Sequence, residues 1–576
     1  MPHLALPTLT AYLRGHGVEV IQRDLNATTF DDILTAGYLR KSIARLQQNF
    51  GMDASYHPKD GRGLPKREHV LWALKEGERV AQNVEAAKNI IRSEQFFDGE
   101  TSLPAFETII QALEIASLPF YPASLTLQTY ISAYPTDSSA ALLQAVRDER
   151  HNIFLELFRS GILEEIRAEQ PDIVGISIPS MPQMLAGMTL AYVIKEAGLN
   201  CHVTIGGPHI SMLRDELAKV PAIFSLFDSA VVFDGEVPLL KLAQALDGNG
   251  NLSEVPNLIY RDGETIRTTN RKLPEKINNL PMPDFDGLPL DKYLAPVLAL
   301  PLLTARGCYF GKCAFCNVGY GEAESFSQLR ADQLVDQMMK LHEKYGTRHI
   351  FFSDEAITPK NLRALPPALE AIGSPFHWGG CARFEHVITR DLLDSMQRGG
   401  CRMILYGLES ASEAIMDRMI KGTQVGDMSR ILIESAEAGI WNHTFFFFGF
   451  PGETLDDAQA TVNFLFQHKP YIHSAAMGTF LMERYSPAHQ FPQRFGVSKI
   501  VEDPDKDLAI YFDYEVGEGM DAAFADKVAD RFMDTLPTKS YPQFYANDVY
   551  RFLYASYLSE HNRQMVPWLI PEGQQA

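Results

Sequence analysis

Apolar and polar positions alternate in two separate stretches of the chain, and each stretch predicts strands that alternate with helices. In the first, the apolar segments 172–178, 202–207 and 229–236 are each followed by a segment of helical periodicity. This order is typical of parallel strands joined by right-handed helical crossovers. Upstream, residues 6–17 predict a helix, and residues 18–24 predict a further strand of the same sheet. Residues from about 28 to 168 show helical periodicity with scattered prolines and predict a helical insertion.

The second alternation is longer and follows a proline-rich connector, residues 279–296. Its apolar segments predict six strands, each followed by a helical stretch: 299–304, 349–354, 376–383, 402–409, 441–449 and 472–481. Six such units indicate a partial barrel of the TIM type, in which chemistry takes place in the loops after the strand ends. Helical patterning returns in 521–536 and 549–561, so we expect a helical C-terminal region.

The fold class predicted from these patterns is α/β. We expect a Rossmann-like domain over residues 1–280 with its helical insertion at about 28–168, a linker at 281–296, a (βα)6 TIM-like barrel over 297–495 and the helical region over 496–576. A length of 576 residues fits two or three domains of ordinary size.

Composition excludes several kinds of partner. The formal net charge is −20 and no dense Lys/Arg stripe is present, so nucleic acid is not expected as a partner. The longest apolar runs, 294–303 and 445–448, are shorter than the roughly 18–20 residues of a membrane span. The first residues lack the basic and apolar regions of a secretory signal, so we expect a cytoplasmic protein.

Three of the six cysteines, Cys308, Cys313 and Cys316, lie within nine residues. They occupy the loop 304–317, TARGCYFGKCAFCN, directly after the first strand of the predicted barrel. Three thiolates in one loop favour an iron–sulfur cluster, and a cubane held by three cysteines leaves one iron open to another ligand. The alternative is a structural zinc ion, which needs four protein ligands; Cys381 or a nearby histidine would then complete the set.

The segment TARGCYFGKCAFC, together with the (βα)6 pattern and the sheet domain before it, resembles the cobalamin-binding subfamily of radical S-adenosylmethionine (SAM) enzymes. The resemblance covers roughly residues 170–480. The commonest spacing in that family is C-x3-C-x2-C, whereas this chain has one more residue between its first two cysteines. The resemblance implies a 4Fe–4S cluster on the three cysteines, SAM on the open iron, and cobalamin on the N-terminal domain.

The resemblance also implies which residues contact SAM and cobalamin. The SAM contacts are Phe315, Ser353, Asp354, Glu355, Arg383, Glu409, Ser410, Gly449 and Pro451. The cobalamin contacts are Ser177, Pro179, Ser180, Gly206, Gly207, His209, Gly235 and Glu236. Ser353 to Glu355 have a second interpretation, as an acidic helix start. No D-x-H-x-x-G segment is present, so no histidine is predicted on the lower face of cobalt; His209 is the nearest candidate. The apolar opening strand usual in the family is also absent.

These implications point to reductive cleavage of SAM and methylation of an unactivated carbon, or of phosphorus, in a small-molecule or natural-product substrate. An electron donor such as flavodoxin or ferredoxin is the implied partner. One alternative is a cyclase or rearrangement enzyme that uses the same cofactors without net methyl transfer. An alternative of another class is a non-catalytic corrinoid- or metal-binding protein. The sequence contains no motif that identifies the substrate.

Overall fold

The structure, a computed structural model, describes residues 1–50, 65–321, 326–373, 375–535 and 547–565. The elements that precede the first large sheet are mostly helical: α1 (Ala5–Gly15), α2 (Leu25–Ile33), α3 (Ala36–Phe50), α4 (Arg67–Ile91), α5 (Gly99–Ser117), β1 (Ser124–Leu125), β2 (Tyr130–Ile131), α6 (Ser139–Ala145), α7 (Ile153–Ser160) and α8 (Ile162–Glu169). Helices α3, α4 and α5 pack on one another through buried aliphatic side chains such as Leu46, Val80 and Ile109. In the described residues the insertion is therefore mainly helical, as its periodicity predicts.

A five-stranded sheet follows. Its elements are β3 (Ile173–Ser177), α9 (Met184–Glu196), β4 (His202–Gly206), α10 (Pro208–Met212), α11 (Arg214–Leu217), β5 (Ser229–Val231), α12 (Glu236–Leu246), β6 (Leu258–Asp262) and β7 (Thr265–Thr268). The strands lie in the order β3–β4–β5–β6–β7. The pairs β3–β4 and β4–β5 are parallel, as the sequence predicts, and an antiparallel hairpin extends the sheet.

The strand predicted at residues 18–24 is wrong, because this segment is not in regular secondary structure. It runs along the connector instead. The side-chain amide of Gln22 donates to the carbonyl oxygens of Asp284 and Asp286, each at 2.8 Å, and its own oxygen accepts from Thr10 at 3.2 Å. The alternating apolar residues resemble a strand locally, but the hydrogen bonds that hold this segment come from the connector rather than from a sheet.

The second parallel sheet begins at residue 299. Its elements are β8 (Ala299–Leu302), β9 (Ala305–Arg306), β10 (Ser327–Gln328), α13 (Ala331–Tyr345), β11 (His349–Phe352), α14 (Pro359–Glu370), β12 (His377–Ala382), α15 (Arg390–Arg398), β13 (Cys401–Glu409), α16 (Glu413–Arg418), α17 (Val425–Glu437), β14 (Trp441–Phe448), α18 (Leu455–Gln467) and β15 (Ser474–Thr479). All six predicted strands are present, in the order β8–β11–β12–β13–β14–β15, and every neighbouring pair is parallel.

The two faces of this sheet bury different partners. Alternate residues such as Ile350, Phe352 and Trp378 pack against the surrounding helices. The intervening positions, among them Phe351 and Met403, pack against a helix from the C-terminal end of the chain. Side chains of successive strand residues point to opposite faces, so both apolar sets arise from one continuous pattern. The α/β class with parallel sheets is confirmed, whereas the domain boundaries stay predictions.

The C-terminal region is only partly helical, which corrects the prediction for 496–576. From residue 482 onwards the elements are β16 (Met482–Glu483), α19 (Pro487–Gln490), β17 (Val497–Val501), β18 (Tyr511–Val516), α20 (Ala522–Asp534) and α21 (Asp548–Glu560). The three strands form an antiparallel sheet in the order β16–β18–β17. Strand β18 alternates exposed and half-buried positions, so its polar residues follow a strand period. None of the described helices has the length and apolar character needed to cross a bilayer.

Candidate active site

The cysteine loop begins directly after β8 and is held at its start by Asp354, which follows β11. The Asp354 carboxylate accepts from the Thr304 backbone N–H at 2.9 Å, from the Thr304 hydroxyl at 2.7 Å and from the Ala305 N–H at 2.7 Å. Asp354 is buried, and burial raises its pKa to about 6 against the lowering effect of these hydrogen bonds. Its oxygen atoms are therefore engaged in positioning the loop.

The three thiols of the loop lie near one another, since the charges of Cys308 and Cys313 act on Cys316. Among the described residues, Cys308, Cys313 and Cys316 do not bring their Sγ atoms all within 4.8 Å of one another. A tetrahedral zinc with Zn–S bonds of about 2.3 Å needs sulfur atoms about 3.8 Å apart. In this side-chain arrangement the three sulfur atoms are therefore not gathered around one zinc position. Burial raises the pKa of Cys316 to about 12, so metal binding there must displace a proton.

Arg383, at the end of β12, lies against the cysteine loop. Its guanidinium is 3.6 Å from Cys313 Sγ and stacks over the Phe310 ring with 3.7 Å between its Cζ and the ring centroid. The side chain is 6% exposed and also pairs with Glu385 at 3.1 Å. A buried cation at this distance favours the thiolate form of Cys313, which opposes the effect of burial on its pKa.

A second buried ion pair lies at the end of β13. Lys421 Nζ is 2.6 Å from Glu409 Oε1, and both side chains are nearly inaccessible to solvent. Glu409 has φ 61°, a left-handed conformation that a non-glycine residue adopts only under constraint. A Cβ on Gly407 would lie 2.7 Å from Lys421 Nζ, so glycine is required there to leave room for the pair. The Phe315 ring lies under the same ammonium group, with 5.5 Å between Lys421 Nζ and the ring centroid.

Two carboxyl groups face the far side of the cysteine loop. Glu355 and Glu483 are close enough for each charge to affect the other, and the Asn317 side chain donates to Glu483. Burial, with the Glu355 charge, raises the pKa of Glu483 to about 7, and burial also raises the pKa of Glu355. Ser353, between β11 and Asp354, is exposed. The region beside Cys316 is thus acidic.

The remaining predicted SAM contacts are packed against protein. Ser410 is fully buried and its hydroxyl pairs with that of Thr461 at 3.1 Å. The Gly449 N–H donates to the carboxylate of Glu453, and the Pro451 carbonyl accepts from Arg418 at 3.3 Å. In this structure these contacts hold the turn 449–453, and its role towards a ligand stays a prediction.

The predicted cobalamin contacts lie at the carboxyl ends of β3, β4 and β5, where open parallel sheets bind ligands. Ser180 is exposed, and Ser177, Pro179, Gly206 and Gly235 are half-buried. Gly207 has φ 106°, and a Cβ there would lie 2.7 Å from the Ile178 carbonyl oxygen, so the turn requires glycine. His209 is buried, and neither ring nitrogen has a hydrogen-bond partner among the described residues. Burial lowers its pKa to about 4, so the ring is neutral.

The cysteine loop directly contacts the loops at the carboxyl ends of the N-terminal sheet. Arg306, two residues before Cys308, pairs with Glu236 at 2.6 Å and with Asp234 at 3.2 Å. On the other side of the cysteine loop, Asn317 donates to the Met212 sulfur at 3.1 Å, and Tyr320 packs edge-on against Phe233. The carboxyl edges of the two parallel sheets therefore face one another with the cysteine loop between them. The predicted cluster and cobalamin residues are brought together.

The part of the chain that forms this arrangement matches a known family model. Residues 302–465 match the Radical SAM superfamily. Residues 302–465 are therefore a radical SAM domain. Enzymes of this superfamily use a 4Fe–4S cluster and SAM, so this radical SAM protein is an enzyme, and the resemblance drawn from the cysteine motif is confirmed.

Two curated relatives carry methyltransferase names. An uncharacterized methyltransferase of Pyrococcus horikoshii is 28% identical over 336 residues, which cover 56% of this radical SAM chain and 72% of the relative. Cytidylyl-2-hydroxyethylphosphonate methyltransferase of Streptomyces wedmorensis is 23% identical over 382 residues, covering 58% of this chain and 67% of the relative.

Two solved structures share the fold of this radical SAM chain. The cobalamin-dependent SAM radical enzyme OxsB with aqua-cobalamin bound gives a TM-score of 0.53 at 17% identity, covering 74% of this chain and 68% of OxsB. The radical SAM methyltransferase TsrM from Kitasatospora setae, with cobalamin and a 4Fe–4S cluster bound, gives a TM-score of 0.53 at 14% identity, covering 71% of this chain and 92% of TsrM. At these identities the likeness establishes the fold.

Sequence reasoning missed four residues of the radical SAM site: Arg306, Asn317, Lys421 and Glu483. Arg306 and Asn317 flank the cysteine motif, so their proximity was visible in the sequence while their partners were not. Lys421 lies 12 positions after Glu409, and no local pattern links a lysine at that distance to a strand end. Glu483 is on a two-residue strand outside the six repeated units.

Proposed function

We propose that this enzyme is a cobalamin-dependent radical SAM methyltransferase that methylates an unactivated carbon, or phosphorus, of a small molecule. The observation that carries the proposal is the pairing of Arg306 with Glu236 and Asp234, which holds the cysteine loop against the carboxyl edge of the N-terminal sheet. Methyl transfer from one cofactor to a radical generated by another requires the two to flank one substrate. The methyltransferase names of the relatives support the same reaction.

The residues present fit both cofactors, the iron–sulfur cluster and cobalamin. Cys308, Cys313 and Cys316 would hold the cluster, and the loops that contain Ser180, Gly207 and Gly235 would receive cobalamin. Bound there, the cluster supplies the electron that cleaves SAM, and cobalamin supplies the methyl group.

The chain's own residues bind and orient the reactants. Arg383 stabilises the thiolate next to it, and Asp354 fixes the start of the cysteine loop. The Glu355 carboxylate faces the region beside Cys316 and is suited to the ammonium group of SAM. The Glu409–Lys421 pair fixes the end of β13. Contacts across the two sheets, such as Tyr320 with Phe233, restrict the entry of water to the reacting centre.

The test is anaerobic reconstitution of the full chain with iron, sulfide and cobalamin, followed by incubation with SAM and a low-potential reductant. We expect deoxyadenosine, and methylated product when candidate small molecules are supplied. Cys308→Ala abolishes both, whereas the matched variant Cys201→Ala, remote from the loop in sequence, retains them. Deoxyadenosine without any methylated product would favour the cyclase or rearrangement alternative. Protein that contains zinc and no labile sulfide would refute the proposal.

A further inference from the structure

A second cluster of metal-ligating side chains lies at the opposite end of the barrel strands. His349 and His377 begin the neighbouring parallel strands β11 and β12 and are paired in register, so both rings project from the same face. Glu560, in the last turn of α21, reaches them across the inner face of the sheet. One ligand atom from each of the three side chains lies within 4.8 Å of the other two.

We propose that His349, His377 and Glu560 bind a divalent transition-metal ion of the Zn²⁺ type, which fastens α21 to the sheet. Two imidazoles and one carboxylate are a known zinc ligand set, with water in the remaining position. Glu560 is half exposed, so the ion has a path from solvent.

His377 supplies an independent reason to expect a ligand. Its Nδ1 is buried without a hydrogen-bond partner among the described residues, and its Nε2 is 3.6 Å from Glu560 Oε1, too far for an ordinary hydrogen bond. A buried ring nitrogen without a protein hydrogen bond, such as Nδ1 of His377, requires an explanation. The ring of His349 lies edge-on to it, with 5.3 Å between the centroids, which leaves the two rings converging rather than stacked.

The electrostatics both favour and limit the site. Burial, together with the charges of Arg348 and Arg402, lowers the pKa of His349 to about 4 and that of His377 to about 3. Both rings are therefore neutral at neutral pH, which is the form that binds a metal. The same two arginines repel a dication, and Glu560 is the one carboxylate of the cluster. The metal affinity therefore depends on Glu560.

The site has a structural role. Helix α21 packs on β12 and β13, and Phe552 on that helix contacts the rings of both His349 and Phe351. A metal at Glu560 joins the carboxyl end of α21 to the amino ends of two strands, far from the cysteine loop. Removing it should loosen α21 without altering the cluster.

The test measures zinc in full-length chain whose Cys308, Cys313 and Cys316 are all replaced by Ala, so that no zinc is held by those thiols. After dialysis against zinc-free buffer we expect about one zinc per chain, falling to below about one tenth in His377→Ala and in the nearly isosteric Glu560→Gln. Glu343→Gln, an exposed substitution on α13, is the matched control and keeps the zinc. Arg348→Gln, which removes an exposed like charge, should bind zinc several-fold more tightly.

A spectroscopic readout separates loss of the site from loss of the fold. Co²⁺ added to the same background should give the visible absorption of a four-coordinate ion with an imidazole ligand set. Glu560→Gln should lose that absorption while its circular dichroism stays unchanged. Zinc content at the level of the buffer, or zinc and Co²⁺ signals unaffected by both His377→Ala and Glu560→Gln, would overturn the assignment.

Discussion

Arg306 Nη2 lies 2.6 Å from Glu236 Oε1, and this pair joins the loop that carries the three cysteines to the N-terminal end of α12. Arg306 is 14% exposed and Glu236 is 4% exposed at their side chains. Asp234 is a second ion-pair partner, 3.2 Å from Arg306 Nη1, and burial raises its pKa despite the nearby guanidinium. One buried cation therefore pairs with two carboxylates across the contact between the two parallel sheets.

Replacing that cation should destabilise the chain strongly. Arg306→Gln leaves the buried Glu236 and the half-buried Asp234 without their cation, and we expect the free energy of unfolding to fall by about 3 kcal/mol. Urea denaturation measures the change. Arg398→Gln, which breaks the exposed pair with Glu370, is the control and should cost less than about 1 kcal/mol. Equal effects of the two variants would show that the buried pair does not hold the sheets together.

Asp354 should control the cysteine loop through its hydrogen bonds to Thr304 and Ala305. Asp354→Asn places an amide N–H₂ where backbone N–H groups now donate, so we expect a loss of about 2 kcal/mol in stability and a lower iron content after reconstitution. Iron analysis and urea denaturation check both effects. Asp336→Asn, on the exposed face of α13, should leave both quantities unchanged; full iron occupancy in Asp354→Asn would argue against the positioning role.

Gly407 should be intolerant of a methyl group. In Gly407→Ala the new Cβ meets Lys421 Nζ at 2.7 Å, so the Glu409–Lys421 pair must separate in a buried environment. We expect a loss of about 3 kcal/mol and weaker binding of SAM, measured by calorimetry on the reconstituted enzyme. Gly426→Ala is the comparison: nothing lies within 4 Å of its added Cβ, and alanine there favours helix α17 by about 0.5–1 kcal/mol. Similar affinities for SAM in both variants would contradict this prediction.

Glu453 should give part of the stability an unusual pH dependence. Burial raises the pKa of this carboxyl to about 7 from 4.5, so the folded chain holds a proton between these values that the unfolded chain releases. The stabilisation that the proton provides is complete below the unfolded value and is lost as the pH rises through about 7. We expect a contribution of about 2 kcal/mol to disappear between about pH 5.5 and about pH 8.

Glu453→Gln isolates that contribution. The variant retains an oxygen that accepts from the Gly449 N–H but carries no titrating proton, so its stability should fall less than that of the unmodified chain over the same pH interval. Urea denaturation at both pH values gives the difference. Glu343→Gln, at an exposed position, should follow the unmodified chain. A parallel pH response of Glu453→Gln would disprove the assignment of the effect to this carboxyl.

The sequence by itself determined the repeated elements and predicted the cysteine ligands. The apolar runs from Ala299 to Thr479 predicted all six strands, because most of these strands are buried on both faces and have a strong local signal. The spacing of Cys308, Cys313 and Cys316 indicated the cluster for a similar reason, since its ligands share one loop.

Only the tertiary structure decided which polar groups meet. Residues 18–24 have a strand-like pattern but are held by the connector through Gln22, and β18 forms a sheet where a helical region was expected. The pairs Arg306–Glu236 and Lys421–Glu409 join separate elements, as does the group formed by His349, His377 and Glu560. Periodicity reports which side of an element is buried; the identity of the buried partner depends on how the elements pack, which no local pattern encodes.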